Sequence, residues 1–206
     1  MARRRKEARP GEIVAAALAV FAERGFAGAK MDDIADLAGL SKAALYLYFP
    51  SKEEVFRAVV RQAVAPNVEA LRETLLAAAA PFPALVATLL DRLAHLATVL
   101  PIGAVAKMVI GESRNFPELA RVWHDDVVEK GVGLLSSLIE QRQSRGELRG
   151  GDSRMHAFSI IGPMLIGVIW RETFTPLGGG DVDLGALARQ HGETIARGLL
   201  NEESRP

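Results

Sequence analysis

The sequence predicts an all-α protein of about nine helices. Three observations lead there. Apolar residues recur at 3.6-residue spacing along nearly the whole chain. Alternation of β-branched residues at period two is nowhere convincing. Alanine richness is the one compositional bias, and no internal repeat is present. The 206 residues suit one large domain, or a small domain joined to a larger one. A chain this long buries about 70% of its unfolded surface, so it needs no metal or disulfide staple. The hydrophobic fraction of 49% argues against disorder. The absence of cysteine excludes a disulfide framework, Cys-type zinc sites and thiol catalysis.

The elements follow in order. Ile13, Ala16, Ala17, Val20 and Phe21 share one helical face, and Gly25 ends that helix. Phe26 to Gly28 connects. A short helix is expected from Met31 to Ala38, with Ile34, Ala35 and Leu37 inward. Gly39-Leu40-Ser41 is a turn, and a second short helix runs from Lys42 to Tyr48. Ser51 with Glu54 three residues on forms a capping box. The long helix it opens reaches about Ala78, with a kink expected at Pro66. Further helices are expected at 84–99, 102–114, 117–145, 153–173 and 182–200. They are separated by Pro101, Asn115-Phe116-Pro117, Gly146 to Asp152 and Gly178-Gly179-Gly180.

The longest apolar run, Ala157 to Trp170, has 14 residues. That is too short to span a bilayer and fits a buried helix. Met1 to Pro10 is basic, but Gly11 onward is amphipathic rather than a short apolar core with a small-residue cleavage site. A soluble, cytoplasmic protein without membrane contact is therefore expected.

The formal net charge is zero, which by itself discourages a nucleic-acid partner. Its distribution does not. Residues 1–52 hold nine Lys/Arg against six Asp/Glu, a net +3, and the rest hold sixteen against nineteen, a net −3. Such asymmetry suggests a basic binding end, 1–52, and a body, 53–206, with a different task.

The run from Met31 to Phe49 has helix-turn-helix spacing. Ala35 is small enough for a second helix to approach the first. Gly39 supplies the positive φ of the turn. Ile34, Leu40 and Leu45 supply a shared apolar core. Ser41 caps the second helix. That helix then offers Lys42, Ala43, Ala44 and Tyr46 where a recognition helix meets base edges, and an alanine methyl can touch a thymine methyl. Tyr48 and Lys52 stand where a hydroxyl and an ammonium hold phosphates. The bland alternative is an ordinary helical hairpin of a core. Arg3, Arg4, Arg5, Lys6 and Arg9 precede the first helix, and are read as an arm that adds affinity without reading bases. Removing it should flatten the salt dependence of binding.

Phe21-Ala-Glu-Arg-Gly-Phe26, Ile34-Ala35, Ala38-Gly39-Leu40-Ser41-Lys42 and Leu45-Tyr46-Leu47-Tyr48-Phe49-Pro50-Ser51-Lys52-Glu53 together resemble the TetR/AcrR family of transcriptional regulators. The resemblance is strong over residues 12–60 and extends beyond them to helix count and layout. It implies a three-helix DNA-binding domain, a connecting fourth helix and a larger helical domain for effector binding and dimerisation. It implies a repressor that leaves a palindromic operator when a small molecule binds. DNA contacts would come from Ser41, Lys42, Ala43, Ala44, Tyr46, Tyr48 and Lys52. The family's Ser/Thr pair before the second helix is replaced by Ala29-Lys30, so Lys30 is the candidate phosphate contact there. The segment Glu112 to Ala120 also looks like a connector in a subset of the family with efflux- or envelope-related regulators.

In the body, Ala157 to Trp170 is apolar on nearly all sides, and its small residues permit close helix approach. The last helix adds Leu184, Leu187, Ile195 and Leu199. The resemblance implies that these last two helices form a four-helix bundle across a two-fold axis. Candidate walls of a pocket for a hydrophobic effector are Met108, Phe116, Trp123, Phe158, Met164 and Trp170, with His95, His124 and His156 as polar recognition. The candidates carried forward as ligand contacts are His95, Met108, Trp123, His124, Phe158, Met164 and Trp170. Met and aromatic residues at this spacing are also ordinary core. His124-Asp125-Asp126 invites a metal reading, but adjacent helical positions point apart and no other His sits at i±4. No metal and no cofactor is expected.

An enzyme is the competing class. The chain has no Gly-x-Ser-x-Gly elbow, phosphate loop or His-Glu-x-x-His pair. Gly178-Gly179-Gly180-Asp181 before a helix is open to two readings, an anion site or a connector. A third possibility is a DNA- or protein-binding module of the same fold without ligand response.

Overall fold

The computed structural model describes the backbone of residues 2–77 and 80–201, and the side chains of 9–76 and 80–201. Nine continuous helices run through the described residues. They are α1 (Ala2–Gly28), α2 (Met31–Leu37), α3 (Lys42–Tyr46), α4 (52–77), α5 (Phe82–Val99), α6 (Ile102–Glu112), α7 (117–144), α8 (Ser153–Thr173) and α9 (Leu184–Leu199). No strand occurs among the described residues. One antiparallel bridge, Leu148 with Leu200, ties the loop after α7 to the end of α9.

Local chemistry explains the boundaries. Gly39 has φ +65°, as the turn between α2 and α3 requires. Ser41 and Ser51 accept hydrogen bonds from the Ala44 and Glu54 amides and cap α3 and α4. Asp152 and Asp183 cap α8 and α9 in the same way. Gly25 has φ +68° and ψ 177°, which breaks the helical path before the last residues of α1.

Several expectations need correction. The first helix begins at Ala2, not near Gly11, so the basic stretch forms its first turns and is not an extended arm. The side chains of Arg3, Arg4, Arg5 and Lys6 lie outside the described residues. Leu37 is 59% exposed, not inward. The buried stripe of α2 is Met31, Ile34 and Ala35, and at 100° per residue Leu37 lies about 110° from its centre. Just before Pro66, where a kink is expected, the chain makes a π-helical turn, Val60–Val64. A second π turn, His124–Val128, interrupts α7.

The chain packs as two compact units. One runs to Asn67 and takes in Ala104–Val127, and the other is Val68–Gly103 with Val128 onward. The core of the first is aromatic. The rings of Phe21, Phe26 and Phe56 stand 5.6, 5.9 and 6.1 Å apart, and Phe116 adds a fourth, 5.0 Å from Phe26. Val105, Met108, Val109 and Leu119 close this core. The second core is aliphatic and gathers Leu85, Leu89 and Leu90 of α5, Ile139 of α7, Ile160 and Met164 of α8, and Leu184 and Leu199 of α9. Arg142 locks its entry. Its guanidinium donates to Glu147 at 2.6 Å and to the Ala80 carbonyl at 2.8 Å, while Glu147 accepts the Phe82 amide at 3.0 Å.

By length and composition, Phe82–Val99 and Ser153–Leu177 are apolar enough to cross a membrane, a reach that the 14-residue run understates. Both turn one face into the second core.

Candidate nucleic-acid interface

Helices α2 and α3 pair across the Gly39 turn over a floor of Ile34, Ala35 and Leu45, each at most 1% exposed. That burial fixes which side of α3 faces water. Ser41, Lys42, Ala43, Tyr46 and Leu47 are exposed, and Ala44 and Tyr48 are half-buried. Tyr48 packs on the first core. Leu47, at the C-terminal end of α3, is 86% exposed and was not among the sequence candidates. Its sequence signal was weak, because a leucine between two tyrosines reads as core.

One cation of this face, Lys42, is already engaged. Lys42 Nζ lies 3.0 and 3.1 Å from the two carboxylate oxygens of Asp32 on α2. The hydrogen bond to Asp32 raises the Lys42 pKa. Lys30 is the N-cap residue of α2 and its side chain makes no capping bond. Asp33 substitutes from the third helical position, accepting the Lys30 amide at 3.1 Å. Asp33 also meets Arg24 at 2.7 Å, and that hydrogen bond, against burial, holds its carboxyl below the usual range.

Lys52 turns toward the chain. Its ammonium faces the carbonyls of Phe26, Ala27 and Ala29, with the Ala29 contact at 2.9 Å, and stands 4.4 Å over the Phe26 ring. From the other side Glu112, the last residue of α6, accepts the Phe26 amide at 2.9 Å and the Ala27 amide at 2.8 Å. The turn between α1 and α2 is thus held by a carboxylate on its N–H groups and an ammonium on its carbonyls. Sequence reasoning missed this partner, since 86 residues separate Glu112 from Phe26.

The seven ligand candidates are distributed over both units. Met108 is buried in the first core, and Trp123 packs beside it. His124 is exposed and meets the adjacent Asp125 at 2.7 Å, while Asp126 receives Arg61 at 2.8 Å, an arrangement the π turn permits. Met164 is buried in the second core. Phe158 and Trp170 are exposed on α8, 46% and 39%, and the Trp170 ring lies tilted against that of Phe174, 4.9 Å away. His95 lines two clefts of about 630 and 520 Å³ that also share Asp91. Gly178-Gly179-Gly180 is a tight turn, with the Gly180 carbonyl accepting Trp170 and Thr175.

Comparison with known proteins supplies the remaining context. The family model described as "Bacterial regulatory proteins, tetR family" matches residues 13–59. The model described as "AefR-like transcriptional repressor, C-terminal domain" matches residues 87–176. The HTH-type transcriptional regulator RutR of Escherichia coli O157:H7 is 30% identical over 173 residues, which span 78% of this chain and 70% of RutR. Among solved structures, a TetR-family transcriptional regulator from Mesorhizobium loti MAFF303099 aligns with a TM-score of 0.76 at 24% identity, covering 96% of this chain and 99% of that one. The regulator FadR of Bacillus subtilis, solved with stearoyl-CoA, aligns with a TM-score of 0.72 at 21% identity, covering 91% and 97%.

Proposed function

The chain belongs to the TetR family of bacterial transcriptional regulators, and from that premise we propose that it is a dimeric repressor that releases a palindromic operator when a small hydrophobic effector binds. The observation that carries the reading is the exposed face of α3. Ser41 caps it, and Lys42, Ala43 and Tyr46 stand clear of the core for base edges and phosphates. Ala44, Tyr48 and Lys30 flank that face. Lys52 serves it by holding the α1–α2 turn, and meets phosphate only by leaving a carbonyl. Residues 1–52 are assigned to DNA and 53–206 to effector and partner. The action is binding rather than catalysis, and the place of work is the cytoplasm.

The partner subunit is a second copy docked through α8 and α9. The support is an apolar face on α8 that the chain itself leaves exposed, with Phe158, Leu165, Ile166 and Trp170, continued by Phe174 and Leu177. Two copies about a two-fold axis present two recognition helices to successive major-groove faces. The effector site is assigned to the second unit. The clefts meeting at Asp91 and His95 fall within the volume range of small-molecule sites.

A gel shift with duplexes selected from a random-sequence library tests the reading. The wild type should select a palindrome, and Lys42→Ala and Tyr46→Ala should each weaken its binding. No selected duplex at moderate salt, or variants indistinguishable from wild type, would sink it. A thermal-shift screen of hydrophobic and cationic compounds then identifies effectors, since a true ligand raises Tm with occupancy.

A further inference from the structure

We infer that Glu112 is a positioning residue for operator binding, acting through the α1–α2 turn and resting on the regulatory reading above. The segment Glu112 to Ala120 carried no role in the sequence beyond a connector. In the structure, two of its residues hold one turn and a third shares the core that the turn joins. Glu112 accepts the two successive amides of Phe26 and Ala27. Phe116 sets its ring against Phe26, and Leu119 is 1% exposed in the same core.

The turn is shaped for that carboxylate. Gly25 takes φ +68°, and a Cβ placed there would lie 2.7 Å from Glu112 Oε1. Only glycine both adopts this backbone and leaves the carboxylate its room. Hydrogen bonds from amides to an ionised acceptor are shorter and stronger than neutral ones. Lys52 holds the carbonyls of Phe26 and Ala29, the first in the same peptide unit as the Ala27 amide, so the turn is held by opposite charges on its N–H and carbonyl groups. Lys30, the N-cap of α2, follows directly. The start of α2, and α3 through the Gly39 turn, are therefore set with reference to a residue outside the helix-turn-helix.

These contacts lie at the edge of the core rather than within it. The bond to Ala27 is exposed and the bond to Phe26 is partly buried. Such bonds add little to global stability, but they decide an orientation. DNA recognition tolerates small misplacement poorly, because base contacts need defined geometry while phosphate attraction does not.

The test uses the full chain and a duplex selected by the wild type from a random library. Glu112→Gln keeps the volume but removes the charge and sets an amide NH2 against a backbone N–H. Its Kd for the selected duplex should rise roughly tenfold. Its Kd for random duplex, its salt slope and its thermal midpoint should stay close to wild type. Hydrogen exchange should speed up at the Phe26 and Ala27 amides. Glu112→Asp, one methylene short, should show a smaller loss and carries the same comparison if the Gln variant does not fold. Wild-type operator affinity in a folded variant whose two amides exchange faster overturns the inference. So does an equal loss on selected and random duplex. A wild type that selects no duplex is a separate result, and removes the regulatory reading itself.

Discussion

Lys42 must change partners to touch DNA. In the free chain its ammonium sits between both oxygens of Asp32, on the face proposed to meet phosphate. Binding therefore exchanges one anion for another, and Asp32 adds a repulsion of its own. Asp32→Asn removes both costs. Affinity for random duplex should rise roughly two- to fivefold at low salt, and the gain should shrink as salt screens it. A filter-binding salt series measures this, and an unchanged or weaker affinity would show that the pair does not compete with phosphate. Phe26 makes a second residue-scale case. It is fully buried among three other rings. Phe26→Ala should cost about 3–5 kcal/mol, read by denaturant unfolding. Ser41→Ala removes only the cap of α3 and should cost about 1 kcal/mol.

At the scale of elements, α5 starts where Arg142, Glu147 and the Phe82 amide meet. Burial raises the Glu147 pKa, but the Arg142 hydrogen bond and the Phe82 amide outweigh it, and the net shift is downward from 4.5. A carboxyl depressed in the folded state stabilises fully above its unfolded value and loses that stability as pH falls through its folded one. The chain should thus lose Tm below about pH 4.5, and Glu147→Gln should flatten that limb while costing roughly 1.5–3 kcal/mol at neutral pH. A pH series of thermal melts reads both, and an acid limb as steep as wild type would remove Glu147 from the account. The same elements show what the sequence made legible. α2, its turn and α3 were readable because Gly39, Ser41, Ile34 and Leu45 act through local rules. Leu37 was misread because a seven-residue helix offers two apolar arcs and only packing chooses between them. Pro66 announced a disturbance but not its form, a π turn just before it. Glu112 was invisible because no local rule links a helix end to a turn 86 residues away. Met108 and Met164 looked alike at helical spacing, and only tertiary packing sent them to different cores.

The whole molecule divides its charge, +3 over residues 1–52 and −3 over the rest. The basic end is proposed to meet phosphate, and a few phosphate contacts from one copy give modest affinity at physiological salt. Doubling the basic end on one duplex raises it, because the second half-site binds at high effective concentration once the first is held. On the proposed dimer, the exposed face of α8 becomes a requirement for DNA binding although it lies in the body of the chain. Phe158 and Ile166 are 46% and 64% exposed, so aspartate at both places introduces charge without emptying either core. The doubly substituted chain should sediment as a monomer and keep its helical circular dichroism. Its affinity for the full palindrome should fall by about 10² to 10⁴. Its salt slope should fall to about half, because a single recognition helix releases about half the counterions. Persistence of the dimer would move the interface elsewhere. A monomer that binds the palindrome with an undiminished slope would show that one copy makes all the phosphate contacts, and the two-fold arrangement would have to be abandoned.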